Sequence, residues 1–216
     1  MATGRRFSED KVHGVSCVYK KERLLQMQLM EERIRRDGKV KKGNILKVDS
    51  FLNQQMDIAL FEKMAEEFWR LFGSCNVNKI LTIEASGIGI ACIVAQKFQC
   101  PVVFAKKNKT KNISDEVYTS EVQSYTHGKT YEIMVSKEYL GSSDRILLID
   151  DFLANGAALS SLVNLVKDAG AYLVGAGIAI EKTFQPGGAL LRSQGVHIES
   201  LARIKSMGDD GGIEFC

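Results

Sequence analysis

Short apolar runs alternating with helical patterns constrain this chain more than any other feature. Lys79–Ile83, Pro101–Ala105, Arg145–Ile149, Leu173–Ile180 and Val196–Leu201 are apolar runs of strand length. Between them, Ile88–Phe98 and Ala157–Ala169 read as helices. Strands that are apolar along their whole length are buried on both faces, and a parallel sheet covered by helices buries them so. The expected fold is α/β, an open, mainly parallel twisted sheet flanked by helices. The 216 residues suffice for one such domain without disulfide or metal staples.

Other segments read as additions to that sheet. From Lys20 to Arg36, Leu24, Met27, Met30 and Ile34 recur at helical spacing, and Gly38 is a stop. The opposite face carries Arg33, Arg35 and Arg36, which suit either water or an anionic surface. A second helix is expected over Asp57–Leu71, capped by Asp57 and buried along Phe61, Met64, Phe68 and Leu71. Val117–Val135 alternates polar and apolar residues around Thr126–Lys129, the pattern of an antiparallel hairpin or flap projecting from the sheet. Residues 1–26 show no clear apolar period and read as a disordered extension.

Composition removes several classes of function. A net charge of +3 is too weak to argue for nucleic acid. The five cysteines include no C-x-x-C pair and the three histidines lie far apart, so neither a zinc site nor a disulfide framework is expected. No apolar run is long enough to span a bilayer, and no export signal opens the chain. A cytoplasmic protein with reduced thiols is the expectation.

The chemistry concentrates after the run Arg145–Ile149. Asp150 and Asp151 follow it, then Phe152 and Leu153, then the small-residue turn Ala154, Asn155, Gly156, Ala157 and Ala158, where a helix begins. Ligands of open α/β sheets sit beyond the carboxyl ends of the strands. There the acids can accept hydrogen bonds from vicinal hydroxyls, while the turn and the positive helix end suit a phosphate. Together they describe a ribose phosphate; the same residues would also serve as capping acids on an ordinary turn.

Other candidates carry paired readings. Ser86 and Gly87 lie at a second strand-to-helix turn, which could face an anion or need glycine only for its backbone. Lys106 and Lys107, with Lys109 and Lys111, follow a strand and suit a diphosphate or plain solvent. Leu46 reads as core and Asn53 as a cap. Phe184 could stack on a ligand, with packing in the core preferred. His127 could carry a proton or be solvated.

The acid pair and its turn resemble the signature of the type I phosphoribosyltransferase family, with Asn155 and Ala158 standing where threonines are common. Ile45–Asn53, Thr82–Ile88, Pro101–Lys107, Ile180–Gly187 and Glu199–Ile204 extend the resemblance from about Met27 to the C-terminus, toward bacterial members that use xanthine. The resemblance implies one domain over 27–216, with a core at about 57–183 and a hood at about 27–56 and 184–216. It implies that Asp150 and Asp151 hold the ribose of phosphoribosyl diphosphate and that Ala154–Ala158 hold its 5′-phosphate. Ser86, Gly87, Lys106 and Lys107 would hold the diphosphate. Leu46, Asn53 and Lys182 would hold the purine, and Tyr125 on the flap would cover the reacting centre. Ser124 stands where adenine enzymes of the family have an acid. Mg²⁺ is implied, held mainly by the diphosphate substrate with Asp150 and Asp151 nearby, and so is a homodimer. A regulatory protein sensing phosphoribosyl diphosphate, or an enzyme for guanine or hypoxanthine, would use the same residues.

Overall fold

The computed structural model describes residues 28–107, 116–124, 129–208 and 210–216. Helix α1 (residues 28–37) buries Met30 and Ile34, as their spacing predicts, and the Gly38 N–H closes on the Ile34 carbonyl at 2.8 Å. Its arginines do more than face water. Arg33 lies over Phe51 and pairs with Asp37 and Asp57, and Arg35 lies over Phe215, so α1 is tied both to the segment leading into the next helix and to the C-terminal end of the chain. A hairpin of β1 (Lys39–Lys41) and β2 (Ile45–Lys47) follows. Its strands are too short to show alternation, which hides them in the sequence. Gly43 and Asn44 turn it with φ of 83° and 60°, a pair of left-handed residues that suits a tight hairpin.

A wide helical turn, Asp49–Asn53, buries Phe51 and Leu52 and leads into α2 (Ile58–Phe72). Asp57 caps α2, accepting the Leu60 N–H at 3.1 Å, and the predicted stripe of Phe61, Met64 and Phe68 is buried. The first βαβ unit is β3 (Lys79–Ile83), α3 (Ser86–Phe98) and β4 (Val102–Ala105). Helix α3 starts two residues before its apolar period, so Ser86 and Gly87 form its first turn. An antiparallel pair comes next, β5 (Val117–Ser124) and β6 (Lys129–Ser136). The chain then runs through β7 (Arg145–Leu153), α4 (Ala157–Asp168), β8 (Tyr172–Lys182), α5 (Gly187–Ser193), β9 (Ile198–Met207) and β10 (Ile213–Phe215).

Six strands form the central sheet in the order β10-β9-β8-β7-β3-β4. Every neighbouring pair from β9 to β4 is parallel, and β10 is antiparallel at the edge. Helices α1, α2 and α3 cover one face around Phe61, Phe68 and Val94, while α4 and the β5–β6 pair cover the other around Leu148, Leu162 and Ile133. The β5–β6 pair is less of a projection than its sequence suggests. Its apolar side is buried, Ser161 of α4 donates to the Glu121 carbonyl at 2.6 Å, and Lys106 at the end of β4 exchanges two backbone hydrogen bonds with Met134. The expected hood also changes. Strand β9 pairs with β8 from Ala176 opposite Ile198 to Lys182 opposite Ile204, so residues 198–216 extend the core sheet instead of standing apart from it.

The winding decides where a ligand goes. β3 and β4 lie on one side of the sheet centre and β7 to β10 on the other, so the direction of winding reverses between β3 and β7. The crevice beyond the carboxyl ends of these two strands is the switch point at which open α/β sheets bind ligands.

Candidate active site

Strand β7 is buried along nearly its whole length and carries Asp150 and Asp151 into the crevice while they are still part of the sheet. The two residues are only 4% and 9% exposed. Each carboxylate accepts the next residue's N–H at 3.0 Å, Asp151 donating to Asp150 and Phe152 to Asp151. Burial pushes the Asp150 carboxyl well above the usual range, the Asp151 charge adds to this, and Lys107 opposes it. An acid perturbed in this way at a switch point marks a functional site.

The diphosphate candidates divide. A Cβ on Gly87 would collide with the buried Thr82 Oγ1 and meet Asp150 Oδ1 at 3.3 Å, so the first turn of α3 lies directly against the acid pair. Lys107 faces the same place. Its charge is felt by Asp150, its ammonium lies 5.4 Å from the Tyr131 ring centre, and its N–H donates to Glu84 Oε1 at 2.5 Å. The Lys106 ammonium instead lies over Phe104 at 5.9 Å, and its backbone joins β4 to β6. Lys109, Lys111, Tyr125 and His127 lie outside the described residues.

The turn after β7 is held by two contacts. Asn155 Oδ1 accepts the Ala157 N–H at 3.0 Å, which leaves its amide nitrogen as a donor. Gly156 takes φ of 85° at the start of α4, and a Cβ there would lie 2.8 Å from Gly187 Cα. The Ala157 N–H is thus taken by Asn155, and the N–H groups that follow it in the first turn of α4 form a helix end that favours an anion.

Of the purine candidates, Lys182 lies on the neighbouring strand, Leu46 on β2 and Asn53 at the end of the Asp49–Asn53 turn. Lys182 ends β8; its ammonium donates to the Asn44 carbonyl at 2.8 Å and lies 5.6 Å from the Phe152 ring centre. Burial lowers its pKa. Leu46, two residues beyond Asn44, is 6% exposed and belongs to the core cluster. Asn53 does not cap α2, since Asp57 does; its Oδ1 is sealed from solvent with no hydrogen-bond partner. A buried acceptor left unpaired costs about 1–3 kcal/mol, which makes this oxygen a candidate contact for a ligand donor. Phe152 was not singled out in the sequence, although it directly follows the acid pair. Phe184, expected in the core, is 39% exposed in the turn between β8 and α5.

The crevice thus has two adjacent acids on β7, the starts of α3 and α4, and Lys107 near Asp150, with Lys182 and Phe152 together at the ends of β8 and β7. Among the described residues no three His, Cys, Asp or Glu side chains cluster as a metal site. Asp150 and Asp151 are the residues that would hold a divalent cation brought in with a phosphate ligand, where it would neutralise charge.

Residues 47–187 match the phosphoribosyl transferase domain, and the chain belongs to that family. It is 58% identical over 190 residues to the xanthine phosphoribosyltransferase of Lachnoclostridium phytofermentans, covering 88% of this chain and 98% of that one. The xanthine phosphoribosyltransferase of Ruminiclostridium cellulolyticum is 57% identical over 189 residues, covering 88% and 99%. Among solved structures, the adenine phosphoribosyltransferase of Trypanosoma brucei superposes with a TM-score of 0.70 at 17% identity, over 84% of this chain and 82% of that one. The Giardia lamblia enzyme gives 0.66 at 22% identity, over 76% and 88%. These two likenesses establish the fold, that of the type I phosphoribosyltransferases expected from the sequence.

Proposed function

We propose that this chain transfers the 5-phosphoribosyl group from phosphoribosyl diphosphate to N9 of xanthine, giving xanthosine 5′-monophosphate and diphosphate. The observation that carries this reading is the meeting of the Asp150–Asp151 pair, the first turn of α3 at Gly87 and the start of α4 in one crevice. Identity of 58% to a xanthine phosphoribosyltransferase supports the choice of base.

Asp150 and Asp151 accept hydrogen bonds from the ribose hydroxyls and orient the sugar. The turn Ala154–Ala158 takes the 5′-phosphate on its backbone N–H groups. Ser86, Gly87 and Lys107 take the diphosphate, and their fixed positive ends favour the charge that builds as the bond from C1 to oxygen breaks. The anomeric carbon passes through an oxocarbenium-like state, as in glycoside chemistry. N9 of the base then bonds to C1 and loses its proton. Mg²⁺, held by the diphosphate substrate with Asp150 and Asp151 in reach, would supply neutralising charge when bound.

On the base, Asn53 Oδ1 accepts a purine N–H and the Lys182 ammonium donates to an exocyclic oxygen, which favours an oxo-purine over adenine. Phe152 and Leu46 flank the ring. By the family resemblance, Tyr125 covers the reacting centre and excludes water. A homodimer, with a cation from the partner reaching the diphosphate, belongs to the same reading and rests on the family resemblance. The free thiols of Cys75, Cys92, Cys100 and Cys216 fit a reducing cytoplasm, and no helix among the described residues is long and apolar enough to cross a membrane.

The test is diphosphate release from Mg²⁺-phosphoribosyl diphosphate with xanthine, guanine, hypoxanthine or adenine, by wild type and by Asp150→Asn/Asp151→Asn. Release is expected fastest with xanthine, and the double substitution should lower it at least about a hundredfold. If phosphoribosyl diphosphate binds but no base is turned over, the chain is a sensor and the enzyme reading is wrong.

A further inference from the structure

Glu181 is buried at 1% exposure on β8, one residue before Lys182 and opposite Leu153 in the register with β7. None of the proposed chemistry uses it, yet it is the hub of a dense polar cluster. Arg192 of α5 grips it with two hydrogen bonds, Nη1 to Oε1 at 2.5 Å and Nη2 to Oε2 at 2.8 Å. Ser200 Oγ donates to Oε2 at 2.6 Å, and Arg203 Nε lies 3.5 Å from the same oxygen. A carboxylate placed this deep is tolerable only with such partners.

The cluster sets the position of α5. This helix has seven residues, too few to hold itself by its own hydrogen bonds. Its start is pressed against the proposed phosphate turn. The Gly187 N–H donates to the Ala154 carbonyl at 3.1 Å, and a Cβ on Gly187 would lie 2.5 Å from the Asn155 carbonyl carbon and 2.6 Å from Ala154 O. Its second residue touches the cluster, since a Cβ on Gly188 would collide with Glu181 Oε1 and come within 2.8 Å of Arg192 Nη1. Two glycines in sequence thus let one short helix fit between the phosphate turn and a buried carboxylate. The ion pair at its far end stops it from moving away.

We propose that Glu181 and Arg192 are a positioning pair that acts through α5 to hold the turn Ala154–Ala158 in its phosphate-binding shape. Neither side chain touches substrate. Arg192 pulls the end of α5 onto β8, and Gly187 then backs the turn from behind. Loss of the pair lets α5 retreat and lets the N–H groups of the turn spread, so affinity falls for the 5′-phosphate end of the substrate and not for the base. The inference rests on the reading that this turn takes the 5′-phosphate.

Two variants test it. Arg192→Met keeps the unbranched apolar stem of the side chain and removes its hydrogen bonds. Glu181→Gln/Arg192→Met removes both charges, so no bare carboxylate stays buried. Binding of Mg²⁺-phosphoribosyl diphosphate is measured by calorimetry on variants whose cooperative melting shows that they are folded, and KM for each substrate and kcat are measured alongside. The expected result is at least an about tenfold weaker Kd and higher KM for phosphoribosyl diphosphate in both variants, with KM for xanthine and kcat within about twofold of wild type. Arg192→Lys, which restores a charge to one carboxylate oxygen, should recover part of the loss. Unchanged affinity in the folded variants, or equal losses for both substrates and kcat, overturns the inference. Wild type that fails to bind phosphoribosyl diphosphate overturns the underlying reading instead.

Discussion

Asp150 sits on a central strand with a second carboxylate beside it and little water, so folding disfavours its ionised form. Its pKa in the folded chain is raised above the ordinary 3.8. The folded state therefore keeps a proton that the unfolded state loses in the window above that value. Stability from this group is whole below the unfolded pKa and is lost as pH rises through the folded one. At neutral pH, Asp150→Asn should stabilise the free protein while removing its activity, because the amide matches the shape of the acid without its charge. Differential scanning calorimetry would check this, each kcal/mol gained raising Tm by roughly 2–4 °C for a domain of this size. A lower Tm in the variant would mean that Asp150 is held as a satisfied anion. Lys182 is disfavoured in its charged form by burial as well, and the Asn53 acceptor waits unpaired. On the proposed function, the unpaired Asn53 acceptor is where a ligand donor adds most, since the group is left unsatisfied without one.

Among the elements, α3 shows how a packing demand can serve chemistry. Its first turn reaches Asp150 only because residue 87 has no side chain, and the Thr82 hydroxyl occupies the space a Cβ would need. Gly87→Ala should push the start of α3 off the acid pair. KM for phosphoribosyl diphosphate should rise at least about tenfold, and stability should fall by about 1–3 kcal/mol from overpacking. Gly141→Ala is the control, since a Cβ there meets nothing within 4 Å. Steady-state kinetics and urea melts on the two variants would decide; equal behaviour would show that the tight approach at Gly87 is not needed. Elements with long apolar periods were legible. Asp57 and its stripe announced α2, and the run at Arg145 announced β7. The β1–β2 hairpin and the far half of β9 were not, because their residues are few or half polar and only their partners make them strands.

At the scale of the molecule, the site is a property of the sheet as a whole. It is assembled from α3, β7 and β8, whose candidate residues Gly87, Asp150 and Lys182 lie up to 95 positions apart in the chain. Binding at such a crevice must couple to global unfolding, since the unfolded chain has no site. Mg²⁺-phosphoribosyl diphosphate at a hundred times its Kd should stabilise the protein by about 2.7 kcal/mol. A thermal shift of roughly 5–10 °C would report it, and Asp150→Asn/Asp151→Asn should show little or none. An equal shift in that double variant would place the ligand elsewhere.

Local order along the chain was enough to specify the α/β class, the acid pair with its turn, and the glycine at the second turn. Each is a pattern within about fifteen residues, where backbone conformation and side-chain period act directly. The same stretch of sequence could not say that Lys107 and not Lys106 faces Asp150, that Asn53 is left without a partner, or that Phe152 underlies Lys182. It could not say that Glu181 and Arg192 brace the phosphate turn. Those facts depend on which strands become neighbours, and strand order is settled by the packing of two helical layers on a sheet, where contacts between distant residues outweigh local preference.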